Sequence, residues 1–320
     1  MSRVHRHTTL ASAMGLCLLL SGCAADSTDR SSSSSPPSLG FVNGDTKHFH
    51  TCLEKAVRET ARNNMATLRV ANSQASADRE LSNIRAMIDR KVDAIIVQSV
   101  DSKALDADIA VAKKAGIPLF VTSYTPSDGN DEVLGAVLFR LSEIGRLNAH
   151  WISKDASGRQ VEVGIVSGDG TSSSNSMVSG FTKGLEDNVR VVASEPGGYD
   201  RSRAKSVASR MIKSHSDIQY LFVVNEDMAF GVREALDEAG STDVRIVTAN
   251  GTDEGLAALK DGRFSATVSS SVMEMGELAV TNALSLLRGD QTDKIAYVPN
   301  RLITEGTADA AAIYCPYDSI

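Results

Sequence analysis

The sequence has no excess of basic charge and few long apolar stretches. Among its 320 residues, 33 are lysine or arginine and 40 are aspartate or glutamate, so the formal net charge is −7. Such a chain lacks the electrostatic attraction on which nucleic-acid binding depends. Beyond the N-terminal segment, no apolar run approaches the roughly 20 residues that span a bilayer. These absences argue against nucleic-acid binding and against a membrane-spanning segment in the folded part.

Signatures of catalysis and of metal binding are also missing. The sequence contains neither a G-x-S-x-G elbow nor a complete G-x-x-x-x-G-K-[ST] phosphate loop. The serine run 172–174 has no base assigned to activate it. Only four cysteines occur, and the histidines at 48, 50, 150 and 215 are expected to lie apart from any cysteine pair, which excludes a metal-ligand spacing. We therefore expect no enzymatic activity, no cofactor and no metal.

The N-terminal segment has the layout of a secretion signal. Arg3 and Arg6 form a positive region, and the apolar run Leu10–Leu20 is too short to span a membrane. Leu20–Cys23 then resembles the lipobox of bacterial lipoproteins, in which the cysteine is lipidated; the alternative is an ordinary signal peptide cut nearby. Residues 1–22 are thus expected to be a lipoprotein signal peptide.

The segment that follows predicts a flexible, membrane-anchored tether. Residues 23–38 are rich in serine and cannot bury enough apolar area to fold. A lipid on Cys23 would hold the protein on the outer face of the cell membrane. In that oxidising location the remaining cysteines, Cys52 and Cys315, either form a disulfide or stay as two thiols that never meet.

The rest of the chain alternates short apolar runs with segments of helical period. The first set of strand candidates is followed by Asp131–Phe139, after which the pattern restarts. The runs are β-branched and apolar on consecutive positions, as in parallel strands covered on both faces. The pattern predicts an α/β protein with two doubly wound parallel-sheet lobes joined by a hinge. We assign residues 39–138 plus 271–298 to the first lobe, and 139–270 plus 299–320 to the second.

The ends of the predicted strands are rich in Asn, Asp, Ser, Thr and Gly. In doubly wound sheets, ligands bind beyond the carboxyl ends of the strands, and amides, carboxylates and hydroxyls bind ligand hydroxyls there. At any single position, the alternative is that such residues only cap helices and form turns. Their recurrence in both halves favours a binding cleft.

Several of these segments resemble the ribose-binding family of periplasmic sugar-binding proteins. The resemblance is carried by Asp93–Asp106 (DAIIVQSVDSKALD) with Ala115–Pro118, and by Gly170–Ser172, Tyr199–Arg201, Asn225–Ala229 and Asn250–Thr252. It spans about residues 39 to 305 with the order of the motifs preserved. It implies the type I two-lobed fold and capture of a sugar between the lobes for delivery to an ABC importer, with permease and ATPase subunits as partners.

The resemblance also implies a set of ligand-binding residues, with departures from the family pattern. It assigns stacking faces to Phe49 and Tyr199, a hydroxyl donor to Arg201 and a hydroxyl-binding amide to Asn225. Where the family has an acidic residue, an arginine, a second acidic residue and a glutamine, this sequence has Ser123 (followed by Tyr124), Asn175, Asn250 and Ser270.

The departures remove charge, which predicts a changed ligand. Charged hydrogen bonds contribute roughly 1.5–3 kcal/mol and neutral ones about 1 kcal/mol. The pocket would therefore bind a pentose more weakly than the family does and suit a polyol, a cyclitol or a deoxysugar. Lys47, His48 and His50 suggest an anionic sugar derivative, unless they are solvent-facing cations at a helix start.

Two functions of the same fold stay open at this point. The leading expectation is a solute-binding lipoprotein of an ABC importer, whose lobes close on the ligand. The alternative is a ligand sensor that signals to a membrane receptor kinase or a chemoreceptor.

Overall fold

The computed structural model describes residues 35–100, 102–123, 132–170 and 172–315. Within these ranges the chain alternates strands and helices, and ends in a short 3-10 helix. In chain order the elements are β1 (Ser38–Asn43), α1 (His48–Asn63), β2 (Thr67–Asn72), α2 (Ala77–Asp89), β3 (Ala94–Gln98), α3 (Ser102–Ala115), β4 (Leu119–Thr122), β5 (Gly135–Phe139), α4 (Leu141–Ala156), β6 (Val161–Ser167), α5 (Ser172–Gly184), β7 (Val189–Pro196), α6 (Arg201–Ser214), β8 (Ile218–Val223), α7 (Glu226–Glu238), β9 (Arg245–Asn250), α8 (Asp253–Lys260), β10 (Ala266–Ser269), α9 (Val272–Arg288), β11 (Ile295–Val298), β12 (Arg301–Ile303) and the 3-10 helix Glu305–Ala310.

The first lobe is built on a parallel sheet with strand order β11-β5-β4-β3-β1-β2. Every residue of β3 is buried because helices cover both faces of the sheet. One face packs on α1 and α9 through residues such as Leu53 and Met275. The other face packs on α2 and α3 through residues such as Ile84 and Leu105.

The second lobe repeats this plan with strand order β12-β10-β9-β8-β6-β7. Its strands are parallel except at one edge, where β12 runs antiparallel to β10. Phe181 of α5 stacks on Phe222 of β8 with ring centroids 4.3 Å apart, inside one continuous apolar cluster. The two sheets confirm the predicted fold class.

Local surroundings set the boundaries of two strands. β8 (Ile218–Val223) ends before Asn225, because Asn225 caps the following helix. β5 occupies Gly135–Phe139 of the segment Asp131–Phe139, after which the sequence pattern restarts. In the described part of the chain, no helix is long and apolar enough to cross a bilayer.

Three segments cross between the lobes, and one side chain joins them. The crossings follow β5, β10 and β11. Asn300 in the third crossing donates through Nδ2 to the Arg140 carbonyl (3.0 Å) and to Glu143 Oε2 (2.9 Å). Its Oδ1 accepts from Ser270 Oγ in the second crossing (2.7 Å). Asn300 therefore links all three crossing segments.

The C-terminal segment crosses between the lobes a fourth time. The 3-10 helix packs on α8 and β12 of the second lobe, whereas Tyr314 is buried in the core of the first lobe. Cys315 forms a disulfide with Cys52 of α1, with Cα atoms 4.9 Å apart. The expectation that residues 299–320 belong wholly to the second lobe is thus wrong for Tyr314 and Cys315, since this covalent bond holds them against α1.

Breaking this disulfide should lower the stability of the fold. The bond joins residues 263 positions apart, so it strongly restricts the unfolded chain, and disulfides typically stabilise a fold by about 2–4 kcal/mol. We expect Cys52→Ala/Cys315→Ala to unfold at lower urea concentration than the oxidised wild type. Reduced wild-type protein, measured alongside, should match the double variant; equal midpoints for oxidised and reduced wild type would contradict the prediction.

Candidate ligand-binding cleft

Polar residues at the strand ends divide into helix caps and residues with other roles. Asn225 accepts from the Met228 amide (3.0 Å) at the start of α7, and Thr252 accepts from the Gly255 amide (3.0 Å) at the start of α8. Asp200 caps α6 in the same way. These three side chains therefore cap helices. Ser123 and Asn250, in contrast, are the N-cap residues of no helix in the described chain.

The first lobe presents Phe49 and His50 beyond the end of β1. The Phe49 ring lies against Phe139, the last residue of β5, with centroids 6.2 Å apart. His50 Nδ1 contacts Asn43 Oδ1 (3.0 Å), and Asn43 Nδ2 donates to the His50 carbonyl (2.9 Å). Burial is the main cause that lowers the pKa of His50 to about 4. His50 is therefore a neutral side chain, which removes one of the three cations that suggested an anionic ligand.

Ser123 follows β4 in a conformation that few residues adopt. Its φ is 70°, in the left-handed region. Its hydroxyl donates to Gln98 Oε1 (2.9 Å) and lies 3.5 Å from the sulfur of Met275 on α9. Backbone strain of this kind is common at ligand sites, where the surrounding structure enforces it. Tyr124, predicted beside Ser123, lies outside the described residues.

The end of β9 in the second lobe is held by a buried carboxylate. Glu226, at the start of α7, is 1 % exposed. It accepts from the amides of Gly251 and Thr252 (both 2.8 Å) and from the hydroxyls of Thr252 (2.5 Å) and Thr267 (2.6 Å). Burial raises its pKa, and these four donors oppose the rise. Because its oxygens are engaged within the lobe, Glu226 fixes the loop that carries Asn250.

Asn250 is the candidate residue at which the two lobes touch. Its φ is 139°, again strained for a residue with a side chain. Its Oδ1 lies 3.4 Å from the Glu226 amide, and its Nδ2 donates to the phenol oxygen of Tyr314 (3.4 Å). Its carbonyl accepts from the Ser270 amide (3.2 Å). Asn225, Asn250 and Ser270 are therefore brought together at one end of the second sheet, opposite the first-lobe core that contains Tyr314.

Ser270 belongs to the hinge. Its side chain is 6 % exposed and donates to Asn300 in the adjacent crossing. This hydrogen bond joins the second crossing to the third. The role of direct ligand contact, which the resemblance implied for Ser270, stays a prediction.

The other second-lobe candidates have different surroundings. Asn175 is exposed on α5 and donates to the Gly170 carbonyl (2.9 Å). Tyr199 has φ 55°, and its ring lies over Gly168, where an added Cβ would be 2.5 Å from the ring. Only glycine permits this approach.

Arg201 is directed towards α7. Its guanidinium donates twice to Glu234 Oε1 (3.0 and 2.6 Å) and lies 5.2 Å from the centre of the Phe230 ring. It lines a surface pocket with Phe230, Glu254, Ala257 and Arg263. These contacts hold the guanidinium against α7, and its expected role as a hydroxyl donor stays a prediction.

One expectation about the histidines is wrong. His48 lies beside the disulfide, with Nε2 3.6 Å from Cys52 Sγ, because one helical turn separates the two residues on α1. His48, Cys52 and Cys315 form a cluster of the kind that holds metals. In the disulfide, however, both sulfurs lack the thiolate form that binds a metal.

Three residues of the site were not predicted from sequence. Tyr314 lies far from the other candidates along the chain, and only the pairing of the adjacent Cys315 with Cys52 would have located it. Glu226 falls within the family segment Asn225–Ala229, but the sequence does not indicate that its carboxylate binds the loop after β9. Asn300 carries no sequence signal, since its role depends on the proximity of three separate crossings.

The fold and site define a class: a two-lobed protein with polar side chains gathered at the carboxyl ends of two parallel sheets. The family described as periplasmic binding protein domain matches residues 39–291. The chain belongs to this family, and the predicted resemblance to ribose-binding proteins is confirmed.

Named relatives cover most of the chain. It is 27 % identical over 258 residues to the ribose import binding protein of Bacillus subtilis, which covers 80 % of this chain and 83 % of that protein. It is 27 % identical over 311 residues to a xylitol-binding protein of Mycolicibacterium smegmatis, covering 94 % and 86 %. A solved periplasmic component of the arabinose ABC transporter of Shewanella sp. ANA-3, bound to L-arabinofuranose, superimposes with a TM-score of 0.78 at 25 % identity, covering 85 % and 93 %.

The neutral state of His50 predicts a specific pH dependence. Its pKa falls from 6.5 to about 4 on folding, so the unfolded state binds a proton that the native state rejects between these values. The free energy of unfolding is therefore unaffected by this histidine above pH 6.5. As the pH falls from 6.5 towards 4, the free energy of unfolding decreases by at most about 3 kcal/mol, because the unfolded state takes up the proton first.

The measurement compares urea unfolding at pH 7 and pH 4.5 for wild type, His50→Asn and His150→Asn. His50→Asn should lose less stability on acidification than the wild type. His150→Asn, a change at an exposed position of α4, should behave as the wild type does. If His50→Asn and wild type lost the same stability between pH 7 and pH 4.5, the lowered pKa of His50 would be refuted.

Proposed function

We propose that the protein is an extracytoplasmic solute-binding component of an ABC importer that captures a neutral sugar or polyol between its lobes. The observation that carries the proposal is the meeting of Asn250 and Tyr314 across the lobes at the carboxyl ends of the strands. Relatives named for ribose import and xylitol binding support the ligand class. The matched relatives are named as binding proteins rather than enzymes.

The charges around the cleft support a neutral ligand. Glu226 is enclosed by four donors within its own lobe, and Arg201 is paired with Glu234. Amide groups therefore remain as the main partners for ligand hydroxyls, and each amide supplies both donors and acceptors. A polyol, a cyclitol or a deoxysugar fits this chemistry better than a sugar acid.

Capture follows from closure of the lobes. A ligand that touches both lobes stabilises the closed state, because only there does it gain both sets of contacts. The crossings form a hinge of few residues, and Asn300 ties them to one another. Closed lobes present a shape that the permease and its ATPase partner can distinguish from the open form.

The binding proposal is tested with two substitutions that spare the fold. Asn225→Ser keeps a capping side chain for α7, and Asn250→Gly suits the strained backbone while removing the amide. We expect each to weaken the binding of the best ligand by about tenfold, the loss of one to two hydrogen bonds. Calorimetry with D-ribose, xylitol, myo-inositol and L-arabinose measures this.

A matched control is Asn188→Ala. Asn188 donates to the Arg159 carbonyl just before β7 begins, at the amino ends of the strands and away from the proposed site, so its loss should leave affinity unchanged. Wild-type protein that is folded yet binds no sugar or polyol would refute the proposed ligand class. Equal affinity in all variants would refute the site.

We also propose that the mature protein is anchored through a lipid on Cys23, with residues 23–37 as the tether. Ser38, expected in the tether, is instead the first residue of β1, where its amide donates to Asp93 Oδ2 (2.7 Å). Residues 23–37 lie mostly outside the described part of the chain, so the support is the signal-like N-terminus alone. Cys23→Ala should move the protein from the membrane fraction to the soluble extracytoplasmic fraction of a producing bacterium. Cys17→Ala, within the signal itself, is the control and should remain membrane-bound; release of neither variant would contradict anchoring at Cys23.

A further inference from the structure

The C-terminal segment places a tyrosine at the interface between the lobes. Tyr314 is 3 % exposed and lies in the apolar core of the first lobe. Its ring is stacked on His48, with centroids 5.9 Å apart and planes inclined by 15°. Its hydroxyl reaches Asn250 of the second lobe. Tyr314 thus extends from the start of α1 to the end of β9, across the proposed cleft.

The tyrosine is held there by several independent bonds. The adjacent Cys315 is joined to Cys52 on α1. The Tyr314 carbonyl accepts from the Met273 amide (3.0 Å), and the Ile313 carbonyl accepts from Ser271 Oγ. Because these partners lie at the start of α9 and on α1, the ring is fixed to the first lobe. Its hydroxyl is consequently presented to the second lobe in a defined position.

The phenol retains an unused donor. Asn250 Nδ2 donates to its oxygen at a long 3.4 Å, and a phenol can also donate its own proton. Among the described residues no acceptor for that proton is found. A buried donor without an acceptor is unfavourable by about 1–3 kcal/mol. Burial raises the pKa of Tyr314, so the phenol keeps this proton at neutral pH.

We propose that Tyr314 is a ligand-binding and specificity-determining residue, whose phenol donates a hydrogen bond to a ligand oxygen held beside Asn250. This inference rests on the proposed function and identifies a contact within it. The phenol would supply a neutral donor for a ligand hydroxyl oxygen, whereas the guanidinium of Arg201 is paired with Glu234 on α7. Ligands that lack an oxygen beside Asn250 would therefore bind with lower affinity, because the phenol of Tyr314 would have no acceptor.

The test is Tyr314→Phe, which keeps the ring and removes only the hydroxyl. For the best ligand among D-ribose, xylitol, myo-inositol and L-arabinose, calorimetry should show a loss of affinity of about three- to tenfold. Tyr297→Phe is the matched control, because Tyr297 is exposed on β11 and stacks on Arg140. Circular dichroism and the thermal midpoint establish that each variant is folded.

Deoxy derivatives of that ligand separate a direct contact from a structural effect. For the derivative that lacks the accepting oxygen, wild type and Tyr314→Phe should bind equally, whereas for the other derivatives the difference should persist. A Tyr314→Phe defect of the same size with every derivative would overturn the direct contact.

Reduction of the disulfide supplies a second arm. Reduced wild type should lose affinity because the segment carrying Tyr314 is no longer held, and reduced Tyr314→Phe should lose less relative to its oxidised form. If wild type binds a ligand of the panel and Tyr314→Phe binds it with the same affinity, the inference is overturned and the proposed function stays intact. Wild type that binds nothing in the panel overturns both.

Discussion

The burial of both faces of each sheet is the constraint on which the rest of the structure depends. Strands such as β3, buried at every position, have no solvent-facing side on which to carry polar chemistry. Unpaired polar groups within such strands would be costly. The chemistry is therefore confined to the carboxyl ends, where the chain leaves the sheet and helices begin. Two such sheets in one chain produce two sets of polar ends, and the crossings bring Asn250 of one lobe to Tyr314 of the other.

Within these ends, charged and neutral groups have separate tasks. Glu226 binds the loop after β9 from the start of α7, and Glu80 in the first lobe accepts from Ser99 Oγ (2.5 Å) and the Val100 amide (2.8 Å). In each lobe a buried carboxylate thus braces the loop that follows a neighbouring strand. Such groups are acceptors only and are satisfied internally. Amides and hydroxyls, which both donate and accept, are the groups left for a ligand of many hydroxyls.

The secondary structure and the strand-end motifs could be predicted from sequence, because they depend on local patterns. The contacts made by Tyr314 and Asn300 could not, because they depend on segments that are distant in the chain. Consecutive apolar positions and helix signals sufficed for the two sheets, and a family resemblance located the strand-end motifs around Asn225 and Asn250. The resemblance did not reveal the pairing of Arg201 with Glu234 on α7, because that pairing depends on how two helices pack. Tyr314 and Asn300 could not be found, because their roles arise where the chain returns to the hinge late in its course.

The fourth crossing changes the energetics of closure as well as the composition of the cleft. Besides Tyr314, Arg301 on β12 forms a two-pronged ion pair with Glu274 on α9 (2.9 and 3.0 Å), which also joins the lobes. Direct contacts between the lobes favour any state in which they form, so they reduce the share of the free energy of closure that a ligand has to supply. Apparent affinity rises with the fraction of molecules already competent to bind. If the cleft binds its ligand through neutral groups, as proposed, the inter-lobe contacts of a segment held by a disulfide are one source of the free energy of closure that does not depend on additional groups on the ligand.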